Sequence, residues 1–171
     1  MASIMEENME NISLRFVRWG TGLLLLALLT GYGPLAHYLH GGVKVACPWA
    51  PVHGHVALLG WIGMTIFGLV YRALPNWANG KEPAIRFATV HFYLCAGAIL
   101  GVWINGNFGY RLLDHLSPSF YYLPDTRILN VWLTIDGLFL SVYGIGCVLF
   151  MMTVLRSTNY VRATTEQPVE T

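Results

Sequence analysis

Charge is scarce in this sequence: 11% of its 171 residues are Asp, Glu, Lys or Arg, against 55% hydrophobic and 13% aromatic. A soluble domain carries about 25% charged residues, and a mean hydropathy of +0.51 points the same way. The composition therefore excludes an ordinary soluble domain and implies an integral membrane protein. The net charge is +1 with no basic block, which leaves no electrostatic footprint for nucleic acid. Glycine or proline repeats of the kind that build linkers are missing as well. Cysteine is sparse: Cys95 and Cys147 fall inside apolar runs and Cys47 in a loop, so no disulfide framework is expected. There is also no Cys-x-x-Cys-His for covalent haem attachment, and any haem would be held non-covalently. The opening MASIMEENMENIS lacks the basic start and small-residue cleavage site of a secretory signal, so the apolar segment after it is expected to stay as an anchor.

What is present is four apolar segments, from about Phe16 to Tyr38, His53 to Leu74, Arg86 to Ile104 and Ile128 to Leu155. Each is close to or longer than the roughly 20 residues that cross a bilayer core of about 30 Å. Poor helix continuations separate them: Gly41-Gly42 with Pro48 and Pro51, Pro75-Asn76 with Asn79-Gly80 and Pro83, and Ser117-Pro118 with Pro124-Asp125. The expected fold is all-α, an integral membrane four-helix up-down bundle. Residues 1–15 are expected to be a cytoplasmic N-terminal segment, 16–156 the transmembrane domain and 157–171 a disordered cytoplasmic tail. Arg15, Arg18, Arg72, Lys81, Arg86, Arg156 and Arg162, seven of the ten basic residues, fall on the side of both termini, opposite Lys44, Arg111 and Arg127. The positive-inside rule then puts both termini in the cytoplasm, with His37, His40, His53, His55 and His115 toward the extracytoplasmic face and His91 toward the inner one. The cytoplasmic membrane of a bacterium is the expected location.

The chemistry concentrates in Val52-His53-Gly54-His55-Val56, at the head of the second segment. An imidazole beside a bilayer core is costly unless its nitrogens are satisfied. Residues two apart on a helix are separated by about 200°, so His53 and His55 face opposite flanks and do not readily chelate one ion; a zinc pair prefers a spacing of three or four. Such imidazoles suit two separate sites, each ring coordinating through one nitrogen while the other is held by an acceptor.

The run His53-Gly54-His55, followed by Leu59-Gly60-Trp61, Phe67-Gly68, Tyr71, Pro75 and Trp77, resembles the tenth helix of the catalytic subunit of haem-copper oxidases, especially the C-family (cbb-type) enzymes. His91-Phe92-Tyr93 and its glycine-bearing helix resemble the helix after it, and 127–156 resembles the last one, so the likeness covers roughly residues 50–156. In that family the first histidine of the pair binds the high-spin haem and the second the low-spin haem. The resemblance implies those roles for His53 and His55, and haem b as the cofactor. It does not imply a complete oxidase: the helices that carry three copper-binding histidines, the redox tyrosine and the second low-spin ligand have no counterpart here. The resulting expectation is a b-type membrane cytochrome acting in electron transfer or diatomic-gas sensing, as a homo-oligomer or as a subunit of a larger membrane complex. A second axial ligand is available from His37, His40, His115 or the His55 of another copy.

The other polar residues carry two readings each. Arg111 and Arg127 lie where haem propionates would point and can pair with them, or they anchor the interface as Trp49, Tyr121 and Tyr122 do. Asp136, the one carboxylate well inside a segment, is expected to be paired, protonated or facing a cavity, with a ligand histidine or Tyr143 as hydrogen-bond donor, or to take part in proton transfer. His91 is expected to be structural, bonded to a backbone carbonyl or to Glu82. Gly97 and Gly101 make a small-xxx-small face expected to pack against a helix. Two further function classes stand beside the cytochrome: a non-catalytic subunit or assembly factor of a respiratory complex without its own cofactor, and an outer-face copper or zinc binder built from His37, His40, His53, His115 and Cys47.

Overall fold

The computed structural model describes the backbone of residues 2–39, 49–77, 85–109 and 126–165, with side chains for 9–31, 52–75, 85–109 and 130–157. Every described element is helical: α1 (Ala2–Leu39), α2 (Trp49–His55), a π-helical segment (Val56–Gly63), α3 (Met64–Trp77), α4 (Ile85–Ile104), a second π-helical segment (Asn105–Gly109) and α5 (Thr126–Thr165). Four stretches are long and apolar enough to cross a membrane: Met9–Gly31, Val52–Pro75, Ile85–Gly109 and Asn130–Ser157. Even the shortest, at 23 residues, reaches about 35 Å at 1.5 Å per residue.

The element boundaries differ from the sequence expectation at both ends. Helix α1 starts at Ala2, well before Phe16, because the acidic opening is amphipathic rather than merely polar. Met9, Ile12 and Ser13 are buried, and the Ser13 hydroxyl donates to the Gly68 carbonyl at 2.8 Å. At the other end α5 continues to Thr165, so 158–165 is helical where a disordered tail was expected. Pro51 sits in the first turn of α2, where its missing N–H has no helical partner to lose. Pro75 lies inside α3, which runs on to Trp77.

The core is built where these helices meet. Phe16 and Leu23 of α1, Val52 and Val56 at the start of the second span, Met64, Tyr71 and Leu74 beyond it, and Ile99 and Val102 of α4 are all nearly or fully enclosed. Helix α4 contacts α1, α2, the first π segment and α5, and half of its most apolar window is buried, against 17% for the last span. So α4 is the central helix and α5 the peripheral one. The outer surface is apolar: Leu25, Leu28, Leu29, Leu58, Leu69, Val148 and Met151 are each more than half exposed. An apolar surface this continuous needs a lipid environment.

Helices in lipid gain little from burying apolar groups and associate through close packing instead. Gly101 is buried beneath the Phe139 ring, which occupies the space a β-carbon would need. Gly97, one turn away on α4, is exposed and meets nothing within 4 Å. The small-xxx-small face expected from sequence is therefore used at one of its two positions, because Phe139 reaches only the lower glycine.

Candidate functional site

His53 and His55 stand in the last turn of α2, directly before the backbone widens into the Val56–Gly63 π segment. The two rings meet different helices, as their spacing requires. His53 turns to α1, where its Nδ1 lies 2.7 Å from the Ala27 carbonyl oxygen. A carbonyl only accepts, so Nδ1 is the donor in this bond. The ring is pressed against Gly31: a β-carbon there would lie 2.6 Å from His53 Cε1 and 2.7 Å from Nδ1. Only glycine admits this approach, so the α1 sequence has been cut to the shape of the imidazole.

His55 turns to the other flank, into electrostatic reach of Asp136 on α5. Its Nδ1 is buried and has no hydrogen-bond partner among the described residues. Asp136 itself is 9% exposed and accepts a 2.8 Å hydrogen bond from Asn105 Nδ2. The same amide group lies 3.3 Å from the Trp132 carbonyl, and Trp132 Nε1 returns a 3.2 Å bond to the Asn105 carbonyl. Asn105 opens the second π segment, whose wider turn leaves carbonyls needing partners. Trp132 supplies one of them. The result is a closed polar patch of Asn105, Trp132 and Asp136 joining α4 to α5 within electrostatic reach of His55.

The expected donors to Asp136 are thus replaced by Asn105. Tyr143 donates to the Leu59 carbonyl inside the first π segment at 3.1 Å, one helix away. His55 lies near Asp136 but the two share no hydrogen bond.

His91 is fully enclosed and its Nδ1 lies 3.0 Å from the Tyr71 hydroxyl, so its partner is a side chain of α3 rather than a backbone carbonyl. Glu82 lies outside the described residues. Phe16, Phe67 and Phe150 surround the ring, with centroids 5.0, 4.6 and 5.4 Å away. His91 Nε2 is buried without a partner among the described residues.

Arg111, His40, His115 and Cys47 lie outside the described residues, and for His37 and Arg127 the helical backbone alone is described. Among the described residues no group of three or more His, Cys, Asp or Glu side chains comes together to hold a metal ion. Cys95 and Cys147 are free. Sequence reasoning passed over Asn105, Trp132 and Tyr71 as functional neighbours. Asn105 carries a usable signal, an amide at the end of an apolar run, while Tyr71 enters the sequence reading only as part of the run that resembles the oxidase helix and Trp132 not at all.

The arrangement offers two imidazoles at one end of a span, on opposite flanks of the same turn, with the Nδ1 of His55 unpartnered among the described residues. It resembles a ligand pair whose orientation is fixed by the surrounding backbone and polar side chains. No protein-family model, no curated protein and no solved structure matches this chain.

Proposed function

We propose that the protein is a haem b-binding integral membrane protein related to cytochrome oxidase subunit I, acting in electron transfer or diatomic-gas sensing and not as a complete oxidase. In this reading the four spans form an up-down bundle with both termini cytoplasmic and the histidine-bearing end extracytoplasmic, in a bacterial cytoplasmic membrane. The chain then works as a homo-oligomer or within a larger membrane complex.

The observation that supports the reading is the buried Nδ1 of His55, which has no hydrogen-bond partner among the described residues, within electrostatic reach of Asp136. Leaving such a nitrogen unmet costs about 1–3 kcal/mol, and in this reading a bound group meets it. His53 supports the same conclusion: with its proton committed to Ala27, Nε2 is the nitrogen left to ligate, the usual state of an axial histidine. The donor set fits haem, which needs one or two imidazoles, better than zinc or copper in a tetrahedral site, which needs four donors.

Each side chain has a task. Ala27 and Gly31 hold the His53 ring in one orientation, and the Asn105–Trp132 pair keeps Asp136 turned toward the His55 flank. Bound haem would supply a one-electron couple or an open iron position for a diatomic gas. Arg111 and Arg127 are the proposed propionate partners.

Purified protein is expected to show a Soret band and a reduced-minus-oxidised spectrum of the b type. His55→Ala should lose most of the signal and His91→Ala should keep it. Haem retained in a His53→Ala/His55→Ala double variant would overturn the assignment.

A further inference from the structure

A shallow surface groove opens between the start of α4 and the end of α5, lined by Phe87, Leu149, Met152, Thr153 and Arg156. Its walls are apolar and its rim is cationic. The Arg156 guanidinium carbon stands 5.7 Å from the centre of the Phe87 ring, a cation–π contact that holds the charge over one wall. Phe87 and Met152 are 41% and 44% exposed, so the groove faces the surroundings of the bundle and not its core. Arg86 stands beside Phe87 in sequence and is exposed.

The position along the spans decides what fits. Phe87 is near the start of the third apolar stretch, which begins at Ile85, and Arg156 is near the end of the fourth, which ends at Ser157. The groove therefore runs from the hydrocarbon zone to the membrane boundary, with its charge at the boundary. A water-soluble anion would meet the charge and leave the apolar walls bare, whereas a molecule with a chain of methylenes and an anionic head satisfies both.

We propose that this groove binds one anionic phospholipid, its phosphate on Arg156 and an acyl chain along Phe87, Leu149 and Met152. The guanidinium, planar and always charged, is suited to phosphate oxygens. Basic pockets between spans on the cytoplasmic side are a recurring mode of anionic-lipid recognition. The bound lipid lies across α4 and α5 on the lipid-facing side of their packed interface. This inference stands apart from the haem reading, since it uses the opposite end of the spans from His53 and His55.

The test is native mass spectrometry of the full chain in non-ionic detergent, mixed with phosphatidylglycerol or with phosphatidylcholine of the same acyl chains. The wild type should retain one phosphatidylglycerol per chain in preference to phosphatidylcholine. One cationic residue near a membrane surface is worth roughly 1 kcal/mol toward an anionic lipid, so Arg156→Gln should reduce that retention about five-fold. Leu149→Trp, which fills the groove and keeps the charge, should reduce it as well. Equal retention of the two lipids, or unchanged phosphatidylglycerol retention in either variant, would overturn the proposal; circular dichroism verifies that each variant is folded.

Discussion

His53 and His55 differ by one intervening glycine in sequence and by almost everything in environment. One donates to the Ala27 carbonyl at 2.7 Å and lies against Gly31; the other has a buried nitrogen with no partner among the described residues, within electrostatic reach of Asp136. The opposite facing was legible from the two-residue spacing alone, because a helix turns about 100° per residue. What each ring meets was not legible: Ala27 is 26 residues from His53 and Asn105 is 31 from Asp136, and nothing local encodes those pairings. The same holds for His91 and Tyr71, and here a prediction follows at the level of single atoms. Hydrogen bonds between helices in membranes average about 0.6 kcal/mol. His91 is fully enclosed and its Nε2 has no partner among the described residues, so removing the Tyr71 hydroxyl leaves the ring without a hydrogen bond among them and the larger penalty for an unsatisfied buried group applies. Tyr71→Phe should destabilise the protein by about 1–3 kcal/mol in detergent unfolding. Adding His91→Leu to that variant should recover most of the loss, since the polar group is then gone. Two additive losses would show that the pair is not coupled.

At the scale of the element, hydropathy read correctly that there are four apolar helices, because about 20 apolar residues in a row rarely form anything except a membrane-spanning helix. It misplaced the start of α1 because acidic residues such as Glu10 mark that segment as polar, while Met9, Ile12 and Ser13 on its other face are buried. It gave no sign of the two π segments, since a widened turn changes the hydrophobic period too little to notice over eight or five residues. Both segments adjoin the candidate site: the first begins directly after His55 and the second begins at Asn105. Close packing of α4 on α5 provides the prediction here. Gly101→Ala would drive a methyl group into the Phe139 ring and should destabilise the protein by about 1–3 kcal/mol. Gly97→Ala, into open space, should leave stability unchanged or raise it by up to about 1 kcal/mol through helix propensity. Thermal unfolding of the two variants side by side in one detergent measures the contrast; equal effects would mean that Phe139 does not hold the two helices at this distance.

For the whole molecule, the four spans and their apolar exterior require a bilayer, and the proposed orientation rests on where the arginines stand. Arg15, Arg18, Arg72, Arg86 and Arg156 all lie near those ends of the spans that the positive-inside rule assigns to the cytoplasm. A C-terminal green fluorescent protein fusion should therefore fluoresce in a bacterial host, while the same fusion to alkaline phosphatase should be inactive; the reverse pattern would invert the proposed topology and bring the histidines to the inner face. The proposed relation to the oxidases spans the second, third and fourth helices and rests on residues, not on shape, so chemistry at His53 and His55 tests it. The most direct measurement is the reduced-minus-oxidised optical spectrum of the purified full chain, recorded for the wild type and for the His53→Ala/His55→Ala double variant. A b-type haem spectrum that disappears in the double variant is the predicted result. A folded but colourless wild type, or a spectrum unchanged by the two replacements, would contradict it.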